Sequence, residues 1–312
     1  MSHGTEAEPI RRGTAGEASL GAHMAAELAS QPETWARAAS LRAEQAMLPE
    51  RGARVAVIGC GTSWFIAQSY AWLREAGGHG ETDAFAASEA FVERGYDAVV
   101  ALTRSGTTTE VLQLVERLRG RVHTVGVIGD RASTLVDLVD EAITLPFADE
   151  RSVVQTRFAT TALSLLRASL GEQLDDAVRD AERAIAEELD PAFLDAEQFT
   201  FLGRGWSVGL AHEAALKMRE ASQSWTESYP AMEYRHGPIS IAAPRRITWS
   251  LGEAPAGLAE DVAATGARFE AGKLDPMAEL VRAQRVALER ARALGLDPDA
   301  PRNLTRSVIL EG

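Results

Sequence analysis

Short apolar runs alternate with amphipathic segments along most of the chain. Residues 54–59, 98–102 and 122–128 have the length and composition of buried strands, and the first two runs lead through a loop into apolar positions at helical spacing. Residues 141–145 form a further short run, and residues 198–203 begin the pattern again. Strands that alternate with helices indicate parallel sheets covered on both faces, so the pattern predicts an α/β fold.

Helices are predicted where apolar residues recur at spacings of three and four. The pattern predicts short helices at residues 88–93 and 133–140 and longer ones at residues 153–170 and 208–225. It leaves residues 246–251 as the clearest remaining strand of the second half.

Pro191 marks the predicted division of the chain. It follows an acidic amphipathic helix predicted at residues 175–189, and after it the order of strand, loop and helix recurs. We therefore predict two copies of one doubly wound α/β unit: residues 21–190, which begin with a helical segment, and residues 191–312, where the second copy is truncated. Residues 1–20 are poor in apolar side chains and are predicted to form a flexible tail.

Composition narrows the class of protein. A hydrophobic content of 46% and a charged content of 25% are typical of a globular protein. The net charge of −13 disfavours non-specific binding to nucleic acid or to an anionic membrane surface. The single cysteine, Cys60, excludes an intrachain disulfide, so we expect a reducing compartment. No apolar run approaches the length of a membrane span, and the start lacks the apolar core of a signal peptide, so we expect a cytoplasmic protein.

Two strand-to-helix loops carry the candidate chemistry. Residues 103–109 place hydroxyl side chains around Gly106 at the start of a helix, and residues 60–63 have a shorter version of the same composition. Hydroxyls, backbone N–H groups and the positive end of a helix dipole suit a phosphate group. The alternative is a helix N-cap without a ligand, since Ser and Thr are favoured there in any protein. Because both loops follow parallel strands, we expect them to converge at one edge of the sheet.

No nucleotide motif accompanies these loops. The sequence lacks GxGxxG at its first strand-to-helix turn and contains no GxxxxGK[ST], which disfavours nicotinamide cofactors and nucleoside triphosphates. We expect neither a cofactor nor a metal ion.

The second half adds titratable residues. Glu213, Lys217 and Glu220 share one face of the predicted helix, either as a surface ladder of ion pairs or as part of a site. The following loop, residues 225–241, combines aromatic residues with His236, and loops of this length are more often functional than connecting. A structural role is the alternative for the histidine.

Five motifs occur in an order that resembles a known family. They are CGTS at 60–63, TRSGTT at 103–108, EAALKMRE at 213–220, RHGP at 235–238 and PRNLTRSV at 301–308. Together they resemble the sugar isomerase (SIS) domain family, as found in the isomerase portion of glucosamine-6-phosphate synthase (glutamine–fructose-6-phosphate aminotransferase) and in related amino-sugar-phosphate deaminase/isomerases. The resemblance implies two tandem SIS domains, a homodimer and a site for a six-carbon sugar 6-phosphate.

The resemblance also implies roles for individual residues. Glu220 would move a proton between C1 and C2 of the sugar, with Lys217 beside it, and His236 would assist ring opening from the neighbouring subunit. The residues that would hold the phosphate and the sugar hydroxyls, or lie beside them, are Gly61, Thr62, Ser63, Thr103, Arg104, Ser105, Gly106, Thr108, Val153 and Gln155.

Four departures from the family pattern bear on the chemistry. No counterpart of the glutamine-hydrolysing domain is present, so we expect the chain not to make ammonia from glutamine. Arg306 stands where the family has a lysine that forms a Schiff base, and a guanidinium is a poor amine nucleophile. Arg104 adds a positive charge to the phosphate loop, where it could clamp phosphate or an anionic substituent. The second copy is truncated between His236 and Arg306.

Three hypotheses follow. The first is an enzyme acting on an amino-sugar or ketosamine 6-phosphate, as a deaminase/isomerase, or on a plain sugar phosphate as an aldose–ketose isomerase. The second is a non-catalytic regulator that binds a sugar phosphate. The third is an isomerase half served by a separate glutaminase chain. Retention of Glu220 and His236 favours an enzyme, whereas Arg306 favours the regulator.

Overall fold

The computed structural model describes residues 20–310, so the predicted tail of residues 1–20 lies outside this range except for Leu20. The strands are β1 (Val55–Gly59), β2 (Thr82–Ala86), β3 (Ala98–Thr103), β4 (His123–Ile128), β5 (Glu141–Thr144), β6 (Gln198–Gly203), β7 (Thr226–Pro230), β8 (Arg246–Leu251) and β9 (Arg268–Ala271). The α-helices are α1 (Ala22–Ala29), α2 (Gln31–Ala39), α3 (Arg42–Gln45), α4 (Thr62–Ala76), α5 (Thr109–Leu118), α6 (Arg157–Ser169), α7 (Asp175–Ala186), α8 (Ala192–Asp195), α9 (Ser207–Ser222), α10 (Leu258–Ala264) and α11 (Pro276–Ala293).

The strands form two parallel sheets, which confirms the predicted α/β class. The first sheet has five strands in the order β2-β1-β3-β4-β5, and the second has four in the order β7-β6-β8-β9. Each strand pairs in parallel with its neighbours, and helices supply the connections. In both sheets the strand order reverses beside the first strand, and the carboxyl ends at such a position are where α/β sheets bind ligands. The domain boundary at residue 190 stays a prediction.

The two sheets share one hydrophobic core. A single cluster of buried side chains joins Val57 and Val100 of the first sheet to Phe199 and Phe201 of the second. Trp249 packs its ring 5.8 Å from that of Phe201, which adds an aromatic contact to the buried area. Burial of each such side chain contributes about 1.5–3 kcal/mol, so the core fixes how the helices that carry site residues are placed.

A glycine brings α4 and α9 into close contact. A Cβ at Gly209 would lie 2.3 Å from the Phe65 carbonyl oxygen, so only glycine allows this approach. One turn later on α9, Glu213 accepts a hydrogen bond from the Thr62 hydroxyl at the start of α4, at 3.2 Å. The contact therefore places the loop that follows β1 of the first sheet against α9, which follows β6 of the second sheet.

Several predicted elements differ from the observed ones. The helices expected at residues 88–93 and 133–140 are short 3₁₀ turns. The helix expected from residue 153 begins at Arg157, because the Glu150 carboxylate accepts the Thr156 and Arg157 N–H groups at 2.7 Å and so fixes its start. Residues 150–156 form a loop instead. The second half also holds β7 and β9, for which the sequence pattern gave no strand.

Among residues 20–310, no helix combines the length and hydropathy needed to cross a membrane. Within the same range, no group of three or more His, Cys, Asp or Glu side chains is arranged to hold a metal ion.

Candidate functional site

The two predicted loops converge on one cavity of about 190 Å³. It lies at the carboxyl ends of β1 and β3, with α9 on one side and the C-terminal segment, residues 304–308, on another. The predicted site residues that line it are Gly61, Thr62, Ser63, Thr103, Arg104, Ser105, Thr108, Val153, Gln155, Lys217, Glu220 and Arg306. The structure thus brings together residues from four of the five motifs. Their roles in binding and catalysis stay predictions.

Gly106 gives the loop after β3 its shape. It adopts φ +61, and a Cβ there would lie 2.0 Å from the Ser133 hydroxyl, so the turn requires glycine. The loop folds on itself through the Gly106 N–H, which donates to Thr103 Oγ1, and the Thr107 N–H, which donates to Ser105 Oγ. Gly106 does not itself line the cavity, but the turn that it forms places the neighbouring hydroxyls at the cavity wall.

The start of α5 is not closed by a hydroxyl cap. Thr108 occupies the N-cap position, but its side chain makes no capping hydrogen bond with any described residue. The helices α4, α6 and α9 also lack a capping hydrogen bond from an N-cap side chain, so this feature does not distinguish a helix cap from an anion site. The anion-binding interpretation of these hydroxyls stays a prediction.

The C-terminal segment runs across this loop without regular secondary structure. Ser307 Oγ lies 3.2 Å from Ser105 Oγ and 3.0 Å from Thr107 Oγ1. The Val308 carbonyl accepts a hydrogen bond from the Thr109 N–H at 3.2 Å, at the first turn of α5. The segment thus covers the hydroxyl cluster. Sequence reasoning did not single out Ser307, although it lies in the PRNLTRSV motif.

Arg104 is buried and donates to backbone carbonyls. Its Nη1 donates to Ser152 O at 3.0 Å and Val153 O at 3.2 Å, and its Nη2 donates to Arg306 O at 2.9 Å. Burial lowers the pKa of the guanidinium, while the nearby Glu150 carboxylate opposes that effect. In this conformation Arg104 holds the loop at residues 152–153 and the C-terminal segment together.

Arg306, at the position of the family's lysine, also binds acceptors of the protein. Its guanidinium pairs with the Asp149 carboxylate and donates to the Glu150 carbonyl. A permanently protonated group held in this way supplies no nucleophilic amine.

Lys217 and two carboxyls form a buried cluster on α9. Lys217 Nζ lies 3.5 Å from Glu213 Oε1 and also pairs with Glu220, and the exposed fractions of the three side chains are 1% for Lys217, 0% for Glu213 and 19% for Glu220. Burial raises the pKa of Glu213 to about 8 although Lys217 opposes the shift. Burial alone would lower the pKa of Lys217, but Glu213 and Glu220 raise it. The directions of these shifts correspond to a protonated Glu213 and a charged Lys217 at neutral pH.

The cluster excludes the surface-ladder interpretation of these residues. Glu213 was not predicted as a site residue, yet its carboxyl is the most deeply buried of the three. Its spacing of four from Lys217 was the available signal.

His236 does not line the cavity of its own chain. It is exposed at the end of the 3₁₀ turn Ala231–His236. Its predicted contribution to a neighbouring subunit's site stays a prediction.

Curated proteins of known name resemble this chain in sequence. The glutamine–fructose-6-phosphate aminotransferase of Thermus thermophilus is 29% identical over an alignment that covers 85% of this chain and 54% of the relative. The enzyme of the same name from Pyrobaculum aerophilum is 27% identical, with 92% of this chain and 57% of the relative covered. The predicted resemblance to the SIS family is confirmed. No family model matches the chain. The chain spans about half the length of the curated relatives it matches.

Solved structures share the SIS-type fold. Glucosamine-6-phosphate deaminase from Thermotoga maritima has a TM-score of 0.77 and 22% identity, covering 91% of this chain and 99% of that one. Tagatose-6-phosphate ketose/aldose isomerase from Escherichia coli has a TM-score of 0.76 and 18% identity, covering 92% and 96%. These likenesses show the fold, which a deaminase and an isomerase have in common.

Proposed function

We propose that the chain is an enzyme of the SIS type that deaminates and isomerises an amino-sugar or ketosamine 6-phosphate. The observation that carries this proposal is the partly exposed Glu220, which lines the hydroxyl-lined cavity and pairs with the buried Lys217. A carboxylate so placed serves as a base for proton transfer. Sequence and fold similarity to phosphosugar isomerases and deaminases also supports it.

The phosphate is assigned to the end of the cavity formed by the two loops. Ser63, Ser105 and Thr108 present hydroxyls there, and the first N–H groups of α5 add the positive end of a helix dipole. The net charge of −13 makes such a local arrangement necessary for an anionic ligand. The sugar carbons then extend toward α9.

Glu220 is assigned the proton transfer. In the open-chain form of a 2-amino-2-deoxy aldose phosphate, the carboxylate removes the proton from C2 and returns it to C1. The product is an imine at C2, and water hydrolyses it to a ketose phosphate and ammonia. His236 of a second subunit is assigned to ring opening, so we propose a homodimer of chains with two tandem SIS domains, located in the cytoplasm.

The absence of a usable amine in the cavity supports deamination without a protein imine. The chain has only two lysines, Lys217 and Lys273, and Lys217 is paired with carboxyls on both sides. Lys273 does not line the cavity. The substrate's own nitrogen supplies the imine that a family lysine would otherwise form. An aldose–ketose isomerase is the second candidate, because the same base needs no amine to form an enediol from a plain sugar phosphate.

The test is direct assay with three substrates. The chain is incubated with glucosamine 6-phosphate, fructosamine 6-phosphate and fructose 6-phosphate, and both ammonia and the interconversion of ketose and aldose are measured. Ammonia supports the deaminase, and interconversion without ammonia supports the isomerase. Inactivity on all three with retained binding would support the regulator, and activity only when ammonia is added would support an isomerase half served by a glutaminase.

Glu220→Gln identifies the base. It should abolish turnover and leave binding of the substrate phosphate intact, because the variant removes only the proton acceptor. The control is Glu116→Gln, the same substitution on the exposed side of α5. Normal turnover by Glu220→Gln would refute the assignment.

A further inference from the structure

The guanidinium groups of Arg104 and Arg306 donate to acceptors of the protein itself, although Arg104 Nε is buried and has no hydrogen-bond partner among the described residues. Arg104 donates to three backbone carbonyls, and Arg306 donates to one carbonyl and one carboxylate. The carbonyl that accepts from Arg104 Nη2 belongs to Arg306, so the two residues act on the same stretch of chain from opposite sides.

The surroundings of Arg104 are already acidic. The carboxylates of Glu150, Asp149 and Glu27 are near enough to raise its pKa, while burial and the guanidinium of Arg306 lower it. Glu150 is itself 1% exposed, so this compensation is not weakened by solvent. A phosphate would have to compete with the three backbone carbonyls that accept from the guanidinium. These hydrogen bonds favour a positioning role over a role as an anion ligand.

The tethered segment takes one hydroxyl and one helix N–H group of the position assigned to phosphate. Ser307 Oγ lies at hydrogen-bonding distance from Ser105 Oγ and Thr107 Oγ1, at 3.2 Å and 3.0 Å. The Val308 carbonyl takes the Thr109 N–H at 3.2 Å, which is one of the helix N–H groups suited to an anion. Neutral oxygens of the segment therefore satisfy donors that a phosphate would otherwise use.

We propose that Arg104 and Arg306 are positioning residues that latch residues 304–308 over the cavity, with Ser307 and Val308 occupying the Ser105 hydroxyl and the Thr109 N–H until a sugar phosphate displaces them. The latch is the pair of arginines together with Asp149 and the carbonyls that accept from them. The inference rests on the proposed function only in taking phosphate as the displacing group. It requires no turnover.

Cys60 offers a built-in probe of the latch. It lines the cavity beneath the C-terminal segment and is the only cysteine of the chain, so alkylation reports on one position. The rate of carboxamidomethylation by iodoacetamide is measured by mass spectrometry at one fixed pH. Wild type is compared with Arg306→Gln and Arg104→Gln.

Both latch variants should react faster by about tenfold or more, because each loses charge-assisted hydrogen bonds that favour the closed segment. The matched control is Arg302→Gln, four residues from Arg306; Arg302 is exposed and makes no hydrogen bond or ion pair with any residue in the range 20–310. It should react at the wild-type rate. Equal alkylation rates in wild type and Arg306→Gln would overturn the latch. If the Arg104→Gln variant does not fold, because Arg104 is buried, the comparison of wild type with Arg306→Gln is sufficient for the test.

Binding of radiolabelled inorganic phosphate in equilibrium dialysis tests the displacement. Ser307→Ala removes the competing hydroxyl and should tighten phosphate binding several-fold, and Arg306→Gln should do the same. Weaker binding by Ser307→Ala would make Ser307 a phosphate ligand and would overturn the proposal. Weaker phosphate binding by Arg104→Gln, together with an unchanged rate of Cys60 alkylation, would make Arg104 an anion ligand. That result would also overturn the proposal. Failure of the proposed reaction leaves both measurements unaffected.

Discussion

Replacement of Glu213 by glutamine tests the protonation state of the buried carboxyl behind the site. The Glu213 side chain is 0% exposed, accepts a hydrogen bond from Thr62 and lies 3.5 Å from Lys217 Nζ. Burial raises its pKa from 4.5 to about 8. Glutamine has nearly the same shape but no acidic proton, so Glu213→Gln removes the titration and keeps the volume.

The sign of the effect follows from proton binding. Since the pKa of Glu213 is higher in the folded state than in the unfolded state, the folded state binds more protons between pH 4.5 and about 8. The free energy of unfolding of the wild type therefore falls as pH rises through this window, by about 1.4 kcal/mol per pH unit, and levels off above it. The total is of the order of 4–5 kcal/mol. Lys217, whose pKa is raised from 10.5, changes stability only above this window.

Urea unfolding followed by the fluorescence of the six tryptophans measures the difference. The free energy of unfolding of Glu213→Gln minus that of wild type should rise by a few kcal/mol between about pH 5 and about pH 8. A change in packing caused by the amide has the same effect on the free energy of unfolding at both pH values, so it cancels in this comparison. The exposed substitution Glu116→Gln is the control. An equal difference at both pH values would mean that Glu213 is ionised throughout, which would refute the assignment of charges in the cluster.

Two further predictions concern the cavity. Borohydride added during turnover should give no covalent sugar adduct with the wild type, because Lys217 is ion-paired and Arg306 supplies no amine; intact mass spectrometry checks this, and a wild-type adduct on Lys217 would contradict it. Gly106→Ala should destabilise the fold by about 1–3 kcal/mol and weaken phosphate binding, because the residue needs a positive φ and its Cβ would meet Ser133. Thermal unfolding and equilibrium dialysis measure the two effects, and unchanged values would contradict the prediction.

Two of the strands that the sequence revealed are buried on both faces. β3 and β6 are buried at each position; β3 is an almost continuous apolar run, and β6 carries two phenylalanines and a leucine. β7 and β9 carry polar residues and are partly exposed, and they lie at the two edges of the second sheet. Their pairing partners, rather than their own composition, make them strands, which is why the pattern did not show them.

The residues of the site also differ in how far the sequence could predict them. The loops around Gly61 and Gly106 could be found because hydroxyls, glycine and a following helix lie close together in the sequence. The burial of Glu213 depends on the approach of α9 to α4 at Gly209, which no local pattern shows. The position of Ser307 depends on contacts across some two hundred residues, as with its 3.2 Å approach to Ser105. Sequence could suggest these residues but not their contacts.

Proton NMR of glucosamine 6-phosphate incubated with the chain in deuterated water tests the central claim most directly. The signal of the C2 proton should disappear with the wild type as the ketose phosphate forms, and it should persist with Glu220→Gln. Both deamination and isomerisation through C1 and C2 require this loss, so the result does not depend on which of the two reactions follows. Persistence of the C2 proton with the wild type would contradict the assignment of Glu220 as the base.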